Sequence, residues 1–250
     1  MRLRAFLTLV VPLVFAAIFV RLGVWQLSRL REKRSFNAVL VARLAAAPAE
    51  IATLPADTAL GHYRRVSASG TMLYDHEVVY AGRSREGSPG VNLLTPLKLA
   101  GRDTLVMVNR GWIPLTDNTP ESWRKYDEPG QVTITGTIRT SLAKGEMGSS
   151  LVDPTLSPGE THLDYWNFAN LPRLQEQLPY PILDVYVQQT PGSNPEALPY
   201  RLADQPDTDP GTHMGFALSW FVIGAVLLVG YPFWLKKHKN PPAKAGGSQG

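Results

Sequence analysis

Hydrophobic positions crowd the two ends of the chain and thin into short runs between them. From Ala5 to Val20 the sequence is broken chemically only by Thr8. A membrane span needs about 20 apolar residues, so this run suffices once Leu22-Gly23-Val24-Trp25-Gln26-Leu27 extends it. Arg21 can keep its stem in hydrocarbon while its charge reaches the headgroups, and Trp25 suits the interfacial aromatic belt. A first transmembrane helix is therefore predicted over 5–27, after a cytoplasmic N-terminus at 1–4. A cleaved signal peptide is the competing reading, but no small-x-small site follows and the next residues are bulky and basic. Near the other end, Met214 to Leu235 carries no charge, which predicts a second helix over 214–235. Gly215, Ala217, Ser219, Gly224 and Ala225 give it small residues for close helix approach, and Tyr231 and Trp234 mark its far interface.

Between the spans the period changes. Leu30, Phe36, Val39, Leu40 and Leu44 recur at helical spacing among basic residues, predicting an amphipathic continuation over 28–47. Residues 48–190 then read as a β-rich domain opened by a loop over 48–62. Strands are expected at Arg65–Leu73, Glu77–Ala81, Val91–Leu97, Thr104–Asn109, Val132–Arg139 and Ile182–Gln188. Pro96 points to an edge position for the third, and Gly136 to a bulge in the fifth. Asn170–Leu178 reads as a short helix with Asn170 at the N-cap and Pro172 in its first turn. Residues 141–163 carry little pattern, 191–213 form a Pro- and Asp-rich connector, and the tail after Asn240 is expected to be disordered. The fold class expected is an α+β membrane protein: two transmembrane helices flanking a β-dominated extracytoplasmic domain, with a partly closed antiparallel sheet and one or two helices.

Charge fixes the expected orientation. The net charge is +4, yet all 21 acidic residues lie between Glu32 and Asp209. The ends carry only bases: Arg2, Arg4, Lys236, Lys237, Lys239 and Lys244. The excess charge flanks the apolar runs, so it reads as topology and not as a nucleic-acid footprint. Asp204, Asp207 and Asp209 precede the second span and bases follow it. The basic tail at 236–250 and the N-terminus are both expected to be cytoplasmic, in a bacterial cell membrane. Arg29, Arg31, Lys33 and Arg34 run against this count, but they open a loop too long for the charge rule to govern.

The chemistry-bearing residues are sparse. There is no cysteine, which excludes a disulfide scaffold, a thiolate metal site and a Cys nucleophile. No P-loop, H-E-x-x-H, G-x-G-x-x-G or G-x-S-x-G is present, so no enzyme activity is expected. His62, His76, His162, His213 and His238 stand singly. His213 differs in standing at the outer end of the second span, where free N–H groups disfavour an imidazolium. A neutral imidazole can bind an iron. Ala217, Trp220 and Gly224 follow on its face, open to a flat apolar ligand. The alternative, favoured on spacing alone, is an interfacial histidine that caps the turn. Asn109-Arg110-Gly111-Trp112-Ile113-Pro114 is the densest unusual motif. Arg with Trp is a pairing enriched at binding hot spots, while the structural alternative has Arg110 satisfying loop carbonyls and Trp112 plugging the domain.

Four stretches together resemble the surfeit-locus family of cytochrome c oxidase assembly factors: Leu22-Gly23-Val24-Trp25-Gln26-Leu27-Ser28-Arg29-Leu30, Arg65-Val66 to Gly70, Val108-Asn109-Arg110-Gly111-Trp112-Ile113-Pro114, and His213-Met214-Gly215-Phe216-Ala217-Leu218-Ser219-Trp220-Phe221. The resemblance implies a non-enzymatic factor that helps mature an aa3-type oxidase by receiving or presenting haem a. Its partners would be the oxidase catalytic subunit, haem a synthase and membrane lipid, with no nucleic acid. It makes His213 the leading haem contact and Trp220 a subsidiary one, and gives Asn109, Arg110, Gly111 and Trp112 a structural or partner-binding role. Around Trp166-Asn167-Phe168-Ala169-Asn170 the family's aspartate is replaced, so no role of that carboxylate transfers. Absent thiolates argue against copper insertion. An extracytoplasmic sensing or scaffolding module is the alternative, and a hydrolase the least favoured.

Overall fold

The computed structural model describes residues 2–53, 61–142, 151–205 and 212–239, with the side chains of residues 2–5, 7, 9 and 237–239 left aside. Parts of the loop at 48–62, the low-pattern stretch, the connector and the tail beyond 239 fall outside those residues. The chain forms two units, one of residues 1–39 with 206–250 and one of residues 40–205.

The first unit is helical. Helix α1, Arg2–Ala45, runs without a break through the predicted span and its continuation, carrying Pro12 in its interior. Helix α4, His213–Ala225, leads through a π-helical turn at Val226–Gly230 into α5, Tyr231–Lys239. The segments Val10–Ala45 and His213–Lys236 are long and apolar enough to cross a membrane. Val11, Leu13, Phe15, Phe216, Leu218 and Val222 face outward, which water penalises at about 25 cal/mol per Å² and hydrocarbon does not. Small residues make the helix pairing: Ala16 and Ala217 are buried, and a β-carbon at Gly224 would lie 3.3 Å from Val20.

The second unit is built on a closed barrel. Its strands are β1 (Ala49–Glu50), β2 (Arg65–Met72), β3 (Val78–Arg85), β4 (Ser88–Leu99), β5 (Leu105–Pro114), β6 (Gln131–Thr140), β7 (Tyr165–Trp166) and β8 (Ile182–Gln189). Five of them close in the order β2-β6-β8-β5-β4 and back to β2, the closure of OB-type barrels. Closure depends on Gly70: where β2 leaves β6 for β4, a β-carbon there would stand 2.0 Å from the Lys98 carbonyl oxygen. The partly closed antiparallel sheet expected from the sequence is therefore corrected on two points. The sheet closes, and it is mixed, with parallel pairs β1–β2, β3–β7 and β5–β8.

Val66, Ala68, Leu97, Val106, Val108, Ile134, Ile138 and Val187 fill the barrel. Outside it, Leu171 and Leu174 of helix α3 (Leu171–Gln175) pack with Trp166 against Val78, Leu94 and Met107. Trp123 of the short helix α2 (Pro120–Trp123) packs on Val79, Val91, Leu93 and Ile113. Strand β5 is thus covered on both faces, which is why it reads as a continuous apolar run.

Two local expectations change. Strand β4 is central, not an edge, despite Pro96. It pairs with β5 along one side and with β3 and then β2 along the other. Pro96 falls between the last β3 pair at Leu94 and the first β2 pair at Leu97, and its carbonyl accepts from Leu73 N–H at 2.8 Å on that side. A residue's N–H and C=O share a side, so the missing donor faces the gap between two partners and costs no ladder bond. Gly136 sits in regular register opposite Val66 and Gln189, without a bulge.

Candidate functional sites

In the helical unit, His213 opens α4 and its ring Nδ1 lies 2.7 Å from the Gln26 amide oxygen on α1. With the Gln26 amide oxygen accepting, Nδ1 is the donor, and in the neutral ring Nε2 is then the nitrogen that carries the lone pair. A carbonyl on the distal nitrogen is the device that fixes the tautomer of metal-binding histidines. Gln26 stood inside the L-G-V-W-Q-L stretch, but no local pattern connects residues so far apart in sequence. The face below His213 departs from expectation. Ala217 and Gly224 are buried by α1, and Trp220 stacks on Phe19 with ring centres 5.4 Å apart. The Ala217–Trp220–Gly224 face is a helix–helix interface, because small residues buried against a neighbouring helix give more contact there than an empty groove. A flat ligand therefore has no room along that face, and Nε2 is the part of His213 left for one.

In the barrel unit, the N-R-G-W motif lies inside β5, which continues to Pro114, and does not end it. Leu94 faces Asn109 and Leu93 faces Gly111, so Arg110 is the extra residue of a bulge. That bulge turns the Arg110 side chain inward, where it is 1% exposed. Its guanidinium donates to Glu77 at 2.9 Å and to the Tyr126 carbonyl, and Glu77 also accepts from Thr95. Burial holds the Glu77 carboxyl above the ordinary carboxylate range, with Arg110 pulling the other way. Arg110 thus clamps the segment after α2 to the start of β3. Glu77 carried no sequence signal beyond its place at a strand start.

The rest of the motif shapes the bulge. Asn109 accepts from Gly111 N–H at 3.1 Å through its side-chain oxygen. Gly111 has φ of 122°, and a β-carbon there would meet the Tyr200 carbonyl oxygen at 2.5 Å. Only glycine satisfies both conditions. Trp112 exchanges backbone bonds with Tyr200 at 2.8 and 2.7 Å, so part of the expected connector is fastened to β5. Arg201 adds a bond from its Nε to the Arg110 carbonyl at 3.2 Å.

Asn109, Gly111 and Trp112 also line a cleft of about 820 Å³ in the barrel unit. His62 lies on its wall, and burial together with the charges of Arg139 and Arg43 lowers its pKa, which keeps the imidazole neutral. Where the family's aspartate is missing, Asn170 donates to Asp153 at 3.1 Å, and Asp153 accepts from the Asn167 and Phe168 N–H groups at 3.0 and 2.9 Å. A carboxylate is thus present in that turn, supplied by a residue upstream.

The comparisons agree with the resemblance. A family model described as the SURF1 family matches residues 13–225. A SURF1-like protein of Monosiga brevicollis is 30% identical over 231 residues, covering 88% of this chain and 84% of that relative. A SURF1-like protein of Rickettsia felis is 25% identical, covering 90% and 95%. Surfeit locus protein 1 of Homo sapiens is 25% identical, covering 86% and 72%.

Proposed function

Because the chain belongs to the SURF1 family, we propose that it is a non-enzymatic assembly factor for an aa3-type cytochrome c oxidase, holding haem a as cargo for the catalytic subunit. The observation that carries this reading is the His213–Gln26 contact, which holds the ring through Nδ1 and leaves Nε2 for a ligand at the start of an apolar helix. The iron of the cargo, when bound, is a Lewis acid that accepts one imidazole lone pair. The protein's part is to orient that imidazole. One nitrogen ligand gives a hold weak enough for release, as a hand-over requires. In this reading both spans cross the bacterial cell membrane, the barrel is extracytoplasmic, both termini are cytoplasmic, and haem a synthase and lipid are further neighbours.

A sensing or scaffolding module without haem is the second reading, and the filled Ala217–Trp220–Gly224 face favours it. Haem content separates the two. Wild-type protein purified from cells making haem a should carry the cofactor's absorption bands. His213→Ala should lose them while still inserting in the membrane. Gln26→Leu should weaken retention about ten- to a hundredfold, the usual effect of removing a ligand's orienting partner. Equal haem content in wild type and His213→Ala would rule out the assembly role as stated here.

A further inference from the structure

The cleft on the barrel has a chemistry that the histidine site does not use. Three arginines on its walls have their guanidinium carbons over tyrosine rings: Arg83 over Tyr80 at 3.8 Å, Arg85 over Tyr200 at 3.8 Å and Arg139 over Tyr63 at 4.1 Å. Three such stacks around one cleft exceed the ordinary frequency of about one per 70–80 residues. Stacking fixes each guanidinium plane while leaving its N–H edge for a planar anion and its outer face for a conjugated ring.

The charges there are unequally satisfied. Arg85 pairs with Glu196 at 2.6 Å and Arg139 with Asp204. Arg83 has no ion pair among the described residues, and its Nε is buried without a hydrogen-bond partner. Nearby donors stay neutral or positive. Burial pushes the Tyr186 phenol up to about 12, so it keeps its proton, and His62 is held neutral. The one carboxylate among the described lining residues, Glu86, is spent on Arg85 at 3.6 Å and is itself 80% exposed. The cleft volume falls within the range of about 300–1,000 Å³ typical of small-molecule sites.

We infer that this cleft binds a flat, conjugated carboxylate, with the acid group on Arg83 and the ring against the arginine–tyrosine stacks. Neutral apolar ligands would leave Arg83 unpaired, and small inorganic anions would leave the stacks unused. The site lies wholly within the barrel unit. It involves neither His213 nor an iron, so it stands whether or not the assembly role does.

Metal-free protoporphyrin IX is a suitable probe, since it has two carboxylates and no metal for His213 to ligate. It would be titrated into the full-length protein in detergent, with quenching of tryptophan fluorescence as the readout, Trp112 being on the cleft wall. The free acid should bind saturably and its dimethyl ester at least about tenfold more weakly, the equivalent of one lost charge-assisted hydrogen bond. Arg83→Gln should weaken the free acid by a similar factor, and Lys98→Gln, a cation outside the cleft, should not. Equal binding of acid and ester overturns the inference without any variant being needed. So does equal weakening by Lys98→Gln, which would mean unspecific charge attraction. The outcomes also separate the two sites. If His213→Ala loses iron-haem while Arg83→Gln binds porphyrin normally, the cleft fails and the assembly reading survives. If Arg83→Gln alone loses the porphyrin and no variant affects haem, the reverse holds.

Discussion

Replacing Arg110 by Met tests the clamp inside the barrel and yields a number that depends on pH. In the native fold Arg110 and Glu77 are 1% and 2% exposed, so the substitution strands a carboxylate in the interior. Breaking such a pair costs about 3–5 kcal/mol, against a total stability of about 5–15 kcal/mol. Glu77 can escape part of that cost by taking a proton. From its ordinary value of 4.5, protonation at pH 7 costs about 3.4 kcal/mol and at pH 5 only about 0.7 kcal/mol, at 1.36 kcal/mol per unit. The ionic part of the penalty is therefore capped near those values and should shrink by about 2–3 kcal/mol between pH 7 and pH 5. The lost bond to the Tyr126 carbonyl adds about 1–3 kcal/mol at either pH. The sign follows from linkage: a carboxyl raised in the fold binds more protons folded than unfolded, so stability falls as pH rises from 4.5 through the raised value. Wild type should share this slope weakly and Arg110→Met strongly, while Glu77→Gln with Arg110→Met should lose it. Thermal unfolding followed by tryptophan fluorescence reads the effect, since about 3–5 kcal/mol corresponds to a melting shift of about 6–20 °C for a protein of this size. An Arg110→Met penalty that is the same at pH 5 and pH 7 would refute the reasoning.

Two further substitutions address the bulge and the helix pair. Gly111→Ala places a β-carbon against the Tyr200 carbonyl at a positive φ. With about 1–3 kcal/mol of backbone strain and two backbone bonds at about 1 kcal/mol each, it should lower the melting point clearly and speed amide exchange at Trp112 and Tyr200. An unchanged melting point would mean that the bulge relaxes freely. In the helical unit, the β-carbon of Phe19 and the β-position of residue 224 are 3.9 Å apart, inside the disulfide range of about 3.5–4.5 Å. Because the chain has no cysteine of its own, Phe19→Cys with Gly224→Cys should cross-link on mild oxidation in membranes, seen as a mobility shift reversed by reductant. Failure to cross-link would refute the pairing of α1 with α4.

The elements that depend on nearby residues were legible in the sequence. Both apolar helices, the strands at Arg65, Thr104, Val132 and Ile182 and the short helix with Pro172 in its first turn follow from local pattern, whose causes lie within a turn or two of chain; the cap expected of Asn170 does not form, because its side chain donates to Asp153 instead. The N-R-G-W motif stood out locally too, because an arginine, a glycine and a tryptophan follow one another directly after an apolar strand. Its partner did not stand out, because Glu77 becomes unusual only once folding removes it from water. The edge assignment of β4 failed because the consequence of Pro96 depends on which strand lies beside it.

Hydrophobic pattern and charge alone thus determined two apolar helices around a β-rich middle, since burial of apolar surface needs no knowledge of the partner. Only the tertiary structure decided that the sheet closes with a parallel β5–β8 pair, that Gln26 holds the His213 ring through Nδ1, and that α1 covers the face beneath it. Each of these is a contact between residues far apart in sequence. Its energy depends on distance and desolvation in the folded state, and neither is written in local spacing.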